Sequence, residues 1–164
     1  MDLVNNQEDI RSISSARSCT LVGSNSGLVG ILNADNSFKN LQDGFKASVD
    51  SRDGCTATAI TPDARFGFVG TRGGQLRVYN LTSEQNRPAF EVAAHSRGIT
   101  ALAVTDDGEI VSSADDNGKL RFWRRVDDTL ELLFEMTRDS SPIVDLRFGP
   151  EGHFLYLLTP ASPV

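Results

Sequence analysis

The chain has 164 residues, of which 39% are hydrophobic and 23% are charged, and its formal net charge is −6. This length allows about one domain with a sizeable core, and the composition is typical of globular proteins. The negative charge argues against a nucleic-acid-binding groove, because binding of phosphates needs a basic surface.

The N-terminal stretch MDLVNNQEDIRS lacks a basic region followed by an apolar run, so it predicts no secretory leader. No apolar run approaches the roughly 20 residues that cross a bilayer, and we expect no membrane segment. Cys19 and Cys55 lack the spacing of a metal site or a redox motif. Buried, reduced thiols favour a reducing compartment, so we expect a cytoplasmic protein.

A repeat of about 44 residues runs along the chain. Ile60, Val104 and Phe148 follow one another at intervals of 44 residues, and Ile13, which lies 47 residues before Ile60, is the predicted first anchor. A turn glycine follows each of the first three anchors after 14 residues, at positions 27, 74 and 118. This spacing predicts repeated structural units rather than a single irregular fold.

Each unit is predicted to hold four strands joined by tight turns. The turns contain Asp-Gly or Asn-Gly pairs or similar residues, which accept the positive φ of antiparallel hairpins. Third strands are predicted at 28–32, 75–79 and 119–123, and outer strands at 37–41, 88–93 and 130–135. The last unit supplies two strands, at 143–148 and 154–159. The prediction is therefore fourteen strands with almost no helix.

The segment from His95 to Trp123, HSRGITALAVTDDGEIVSSADDNGKLRFW, resembles a repeat of the WD40 β-propeller family. Ala94 and His95 stand where the family has Gly-His, residues 105–108 resemble Ser-Pro-Asp-Gly, and residues 122–124 resemble the Trp-Asp end. The resemblance implies an all-β fold of WD40-like propeller blades, each a four-stranded antiparallel sheet. A single partial propeller domain would span residues 1–164, with blades at about 8–48, 49–93 and 94–137 and a half blade at 138–164.

In the WD40 family, a histidine, a serine of the second strand, a turn aspartate and the tryptophan form a hydrogen-bonded network inside the blade. The residues that match these positions are His95, Ser112 or Ser113, Asp116 and Trp123, with Asn117 as the alternative to Asp116. Tyr79 and Leu32 replace the tryptophan in the two preceding repeats. The resemblance therefore implies a structural role for this set in the third blade only.

The sequence predicts no catalytic, cofactor or metal site. His95 and His153 are the two histidines, which leaves few ways to build a Ser-His-Asp triad. The glycine-rich stretch 67–74 is not followed by Lys-Ser or Lys-Thr, so it does not fit a phosphate-binding loop. Residues 115–118 lack the ligand spacing of a calcium-binding loop.

In WD40-like propellers, partners commonly contact residues that enter the inner strand and residues of the turn between the second and third strands. Carried over by register, this selects seven candidate protein-binding residues: Ser24, Thr56, Arg72, Arg97, Thr100, Asp115 and Ser140. Arg72 and Arg97 are the preferred pair, because a guanidinium pairs bidentately with an acidic or phosphorylated peptide.

The expected function is that of a non-catalytic scaffold for protein–protein interaction. Two alternatives stay open. One is a structural WD40 protein of the cytoskeleton or cilium (axonemal or centriolar), since AHSRGITALAVTDDG also resembles WD-repeat proteins of cilia and flagella. The other is a ligand-binding or enzymatic propeller.

Three and a half blades would leave the ring open, with an unpaired sheet edge and an uncovered apolar face. We therefore expect either a further segment or a second chain to complete it. The second chain could be another copy of this one, because two copies would supply twenty-eight strands, the number in seven blades.

Overall fold

The computed structural model describes residues 9–17, 19–41, 54–138, 141–153 and 155–160. The predicted boundary between residues 48 and 49, and the candidate Ser140, lie outside these described residues. Fourteen strands and one short 3₁₀ turn make up the regular structure of the described residues. The prediction of an all-β fold of WD40-like blades is confirmed.

The strands form three four-stranded antiparallel sheets and one two-stranded sheet, each with strands in chain order. Blade 1 contains β1 (Ile10–Ala16), β2 (Cys19–Ser24), β3 (Val29–Asn33) and β4 (Phe38–Asn40). Blade 2 contains β5 (Cys55–Ile60), β6 (Phe66–Thr71), β7 (Gln75–Asn80) and β8 (Phe90–Ala93). Blade 3 contains β9 (Ile99–Val104), β10 (Ile110–Asp115), β11 (Lys119–Val126) and β12 (Thr129–Thr137). The half blade contains β13 (Asp145–Phe148) and β14 (Leu155–Leu158), joined through the 3₁₀ turn Pro150–Gly152.

Apolar side chains on successive blades pack face to face. Successive residues of a strand point to opposite faces of the sheet, so one strand serves two interfaces. On β7, Leu76 and Val78 pack into the cluster shared with blade 3, whereas Tyr79 packs into the cluster shared with blade 1. A third cluster joins blade 3 to the half blade through residues such as Leu120 and Leu146.

The repeat has a different register in blade 1 from the one that the anchors predicted. Ser15 pairs with Thr20 in the first hairpin, whereas Ile60 pairs with Gly67 in the second, so the first hairpin is two residues shorter. Ser15 is therefore the equivalent of Ile60. The predicted anchor Ile13 instead matches the middle of the inner strand and is exposed.

The described arc ends in two uncovered faces. On the side of blade 1 away from blade 2, Leu32 occupies the position of the buried residues Tyr79 and Trp123 but is 38% exposed. At the other end, Tyr156 and Leu158 of β14 are exposed. Each end thus shows apolar side chains of the kind that are buried between neighbouring blades elsewhere in the chain. Within the described ranges, no helix is long and apolar enough to cross a membrane.

Candidate functional site

Blade 3 contains a buried chain of four polar side chains. Trp123 Nε1 donates a hydrogen bond to Ser113 Oγ over 2.9 Å, and Ser113 Oγ lies 2.8 Å from His95 Nε2. His95 Nδ1 lies 3.1 Å from a carboxylate oxygen of Asp115. Because an ionised carboxylate only accepts hydrogen bonds, the geometry fits a neutral imidazole that donates through Nδ1 and accepts from the Ser113 hydroxyl.

Burial fixes the protonation state of this histidine. Removal from water lowers the pKa of His95 below its ordinary value of 6.5, and the neighbouring carboxylate of Asp115 opposes that shift. The imidazole therefore joins the segment before β9 to two residues of β10 as a neutral hydrogen-bonding group, and Ser113 extends the chain to Trp123 of β11. It belongs to the interior of the sheet and has no access to a substrate.

The structure corrects one member of the predicted network, the aspartate, and decides between the two predicted serines. The aspartate is Asp115, and the assignment of Asp116 is wrong by one residue because the turn begins one position earlier than the resemblance suggested. The serine is Ser113, since Ser112 points to the opposite face of β10. The hydroxyl of Ser112 is buried with no hydrogen-bond partner among the described residues.

A polar side chain closes the turn between the second and third strands of each full blade. Ser24 Oγ accepts the Leu28 amide, Thr71 Oγ1 accepts the Gln75 amide, and an Asp115 oxygen accepts the Lys119 amide. These closing residues are buried. Ser24 and Asp115 are therefore part of the framework, and their predicted role as accessible partner contacts is wrong.

Two threonines fasten neighbouring blades at the entrance of the inner strands. The Thr56 hydroxyl donates to the carbonyl oxygens of Gly70 and Ile99, which belong to blades 2 and 3. The Thr100 hydroxyl makes the equivalent contacts, at 3.3 Å to Ala114 and 2.5 Å to Ile143. Both side chains are half-buried and already engaged, so they hold blades together.

The accessible residues at this end of the arc form a polar rim, which we define as Asn25, Arg72, Arg97 and Asp116. Arg72 Nη2 donates to Asn25 Oδ1 over 2.6 Å, which links blades 1 and 2. Arg97 Nε lies 4.0 Å from Asp116 Oδ1, and both side chains are largely exposed. The rim thus crosses three blades and presents two guanidinium groups to solvent.

Close backbone packing brings together the two loops that carry Arg72 and Arg97. A methyl group at Gly98 would lie 3.1 Å from the Arg72 carbonyl oxygen, so the two loops are in contact at that point. Gly74, with φ of +83°, packs against the carbonyl oxygens of His95 and Arg97. The loop that carries Arg97 is therefore fixed against the turn that carries Arg72.

Asn25 and Asp116 are rim residues that the sequence-based selection missed. The turn glycines could have identified them, because Asn25, Arg72 and Asp116 each lie two residues before Gly27, Gly74 and Gly118. Counting from the glycines also places Ser24, Thr71 and Asp115 together as the closing residues of the turns.

The inner strands β1, β5, β9 and β13 line a concave cleft of about 740 Å³. Its walls carry hydroxyl groups and backbone, with Arg11, Asp106, Asp145 and Arg147 as charged members. Across the ranges that the structure describes, no group of three or more His, Cys, Asp or Glu side chains is arranged to hold a metal ion.

Comparison with known proteins places the repeat on the same segment as the buried network. Residues 86–124 match the family described as WD domain, G-beta repeat. Similar proteins include Actin-interacting protein 1-2 of Arabidopsis thaliana, 27% identical over 97 residues, which cover 59% of this chain and 16% of the relative. Target of rapamycin complex subunit wat1 of Schizosaccharomyces pombe is 23% identical over 97 residues, covering 58% of this chain and 30% of the relative. Protein groucho of Drosophila melanogaster is 25% identical over 97 residues, which cover 59% of this chain and 13% of the relative. The matched region spans less than a third of each relative's length.

Proposed function

We propose that the chain is a non-catalytic scaffold that binds other proteins in the cytoplasm, because residues 86–124 match the WD domain, G-beta repeat family and the sheets form WD40-like blades. The observation that carries this proposal is the polar rim, an accessible surface built from loops on a rigid set of sheets, where binding residues concentrate. Among the relatives, one is named as a subunit of a complex and one as an actin-interacting protein. Both names describe association with other proteins.

The chemistry of the rim favours an acidic or phosphorylated segment of a partner. Arg97 is held by an ion pair with an N–O distance of 4.0 Å to an exposed carboxylate, and exposed pairs of this kind contribute little to stability. A carboxylate or phosphate of a partner could replace Asp116 at low cost and take a bidentate geometry.

The test compares partners recovered by quantitative affinity purification with the wild-type chain and with Arg72→Glu/Arg97→Glu. The matched control is Arg65→Glu, since Arg65 is exposed and precedes β6 while Arg72 follows its other end. We expect the double variant to lose specific partners that the control retains, with unchanged circular dichroism for both. Equal recovery by all three proteins would contradict the role of the rim.

A second candidate function is a structural role in the cytoskeleton. The similarity to a protein named as actin-interacting favours it. Sedimentation of the purified chain with actin filaments, and separately with microtubules, tests this candidate. Failure to pellet with either filament above a filament-free control would reject it. No contact among the described residues favours the enzymatic or ligand-binding alternative, and we do not propose it.

We also propose that further strands complete the arc, supplied by a second chain or by a further segment. The exposed apolar residues at both ends support this proposal, because apolar patches of this kind mark sites of interaction. Light scattering at micromolar concentration distinguishes the two sources. A doubled mass supports a second copy of this chain as the source of the strands. A stable monomer excludes a second copy and supports a different polypeptide segment as the source.

A further inference from the structure

The segment that enters the half blade carries a Ser-Pro pair, Ser141 and Pro142. Neither residue has regular secondary structure, and Ser141 is exposed. Proline disfavours helical backbone at the residue before it, so Ser141 is held in an extended conformation. An exposed hydroxyl on extended backbone, directly before proline, is the form of substrate that proline-directed Ser/Thr kinases modify.

Burial separates this pair from the other Ser-Pro and Thr-Pro pairs of the sequence, which begin at residues 61, 159 and 162. Thr61 is 2% exposed, and its hydroxyl donates to Asp63 over 2.6 Å. Thr159 is half-buried directly after β14, and residue 162 lies outside the described residues. Within the part of the chain that the structure describes, Ser141 is therefore the one exposed hydroxyl that precedes a proline.

Contacts between blades place Ser141 at the position that Arg97 holds one blade earlier. The Thr100 hydroxyl donates to the carbonyl oxygen of Ile143. Blade 2 makes the same contact to the carbonyl oxygen of Ile99, through the threonine of its own inner strand. Ile143 is therefore the equivalent of Ile99, and the residues two positions earlier, Ser141 and Arg97, are equivalent to each other.

The segment of Ser141 and the side chain of Arg97 approach the same turn of blade 3. The Ile143 amide nitrogen lies 3.5 Å from the carbonyl oxygen of Asp115, to which it donates. The next residue, Asp116, has its Oδ1 atom 4.0 Å from Arg97 Nε, and both side chains are largely exposed. Ser141 thus lies beside the polar rim, close to its only ion pair among the described residues.

A phosphate on Ser141 would compete with Asp116 for Arg97. The phosphate carries a charge of about −1.5 to −2 at pH 7 and three acceptor oxygens, and a guanidinium binds it bidentately. The pair that it would replace is exposed and contributes little to stability. Repulsion between the phosphate and the Asp116 carboxylate acts in the same direction, because it also separates Asp116 from Arg97.

We propose that Ser141 is a phosphorylation site and that its phosphate takes Arg97 from Asp116, which withdraws this arginine from an acidic partner. A proline-directed kinase transfers the γ-phosphoryl group of ATP to Ser141 Oγ. The hydroxyl proton passes to the catalytic base of the kinase, and ADP leaves. This inference deepens the proposed scaffold function, on which its last step rests, by giving the polar rim a means of regulation.

Incubation of the full chain with ATP, Mg²⁺ and a purified proline-directed kinase tests the modification itself. Mass mapping of the peptides should find phosphate on Ser141 and none on Thr61. Ser141→Ala should lose this phosphate. Ser140→Ala, a change at the neighbouring serine that no proline follows, should keep it. A synthetic peptide of residues 137–146 is the substrate control. Phosphate on the peptide but not on Ser141 of the chain would overturn the proposal, and absence of phosphate from both would reject it for this class of kinase.

NMR of the isotope-labelled chain tests the contact with Arg97. The Nε–H signal of Arg97, assigned by its loss in Arg97→Gln, should shift on phosphorylation, whereas the signal of Arg72 should stay in place. Kinase-treated Ser141→Ala is the control and should show no shift. An Arg97 signal that is the same before and after phosphorylation would overturn the proposed pairing.

A fluorescently labelled hexaglutamate peptide serves as the probe for the effect on the rim. Phosphorylation should weaken its binding by about threefold or more, because one of the two guanidinium groups is then occupied. Kinase-treated Ser141→Ala should bind it as the unmodified chain does. Equal affinity of the phosphorylated and unmodified chains would contradict the withdrawal of Arg97. Absence of peptide binding to the unmodified chain would count against the rim as an acidic-segment site, while mass mapping and NMR still decide the modification and its contact.

Discussion

Replacement of Trp123 by alanine should lower the free energy of unfolding by about 3–5 kcal/mol, the usual cost of removing a large buried aromatic side chain. Trp123 is 3% exposed and lies in the cluster between blades 2 and 3. Its ring nitrogen also donates to Ser113 Oγ, and loss of that hydrogen bond adds about 1 kcal/mol. Because domains of this size have a total stability of about 5–15 kcal/mol, the variant should be close to unfolding at 37 °C.

Two further variants separate the contributions to that loss. Trp123→Phe keeps much of the apolar ring but removes the hydrogen bond, and should cost about 1–2 kcal/mol. Leu32→Ala changes the equivalent position on the uncovered face of blade 1, where the side chain is 38% exposed, and should cost about 1 kcal/mol or less. Urea unfolding followed by circular dichroism measures all three, because Trp123 is the chain's single tryptophan and its fluorescence is lost in two of them. A loss for Trp123→Ala as small as that for Leu32→Ala would refute the assignment of Trp123 to an interface between blades.

Three other predictions follow from particular contacts. Burial lowers the pKa of His95 from 6.5, so as the pH falls the histidine is protonated in the unfolded chain before it is protonated in the folded chain. The free energy of unfolding should therefore be constant above about pH 7 and decline as the pH falls below 6.5. It should level off once the pH is below the lowered pKa of the folded state. Urea unfolding across this range should show that decline in the wild type and lose it in His95→Gln. Thr100→Val removes the hydroxyl contacts to Ala114 and Ile143 and should lower the free energy of unfolding by about 1–2 kcal/mol. Hydrogen exchange of the amides in β13 and β14 should become faster in this variant. Thr56→Val is the control and should leave the exchange of those amides unchanged. Gly74→Ala would force a side chain at φ of +83° against the His95 and Arg97 carbonyl oxygens and should cost about 2 kcal/mol or more; an unchanged urea midpoint would contradict the packing of that turn.

The fold could be predicted because its signals are local. Alternation of apolar residues and turn glycines at fixed offsets each depend on a few neighbouring residues, and the alternation repeats in every blade. His95 and Trp123 could be placed for the same reason, since both lie at positions that the repeat defines within one segment. A single repeat with clear features was enough to set the architecture of its degenerate neighbours.

The details that sequence reasoning missed depend on register and on contacts between blades. The first hairpin is two residues shorter than the second, and this difference moved the equivalent of Ile60 from Ile13 to Ser15. Asp115 and Asp116 are adjacent in sequence, yet one is buried against His95 and the other is exposed beside Arg97. Side-chain alternation makes such one-residue differences decisive, because a shift by one residue exchanges the two faces of a strand.

The position of the half blade bears on how the arc could be completed by a second copy. Twenty-eight strands equal seven blades in number, but each chain carries its two unmatched strands at one end, after three full blades. In a two-fold ring these half blades would occupy two separate positions. Both consist of inner strands, and they therefore could not merge into one four-stranded blade. Such a ring would have eight positions, two of them without outer strands among the described residues, and Phe134 and Met136 of β12, which are 52% and 47% exposed, would stay uncovered in both chains. The number of strands alone therefore does not close a ring of two copies.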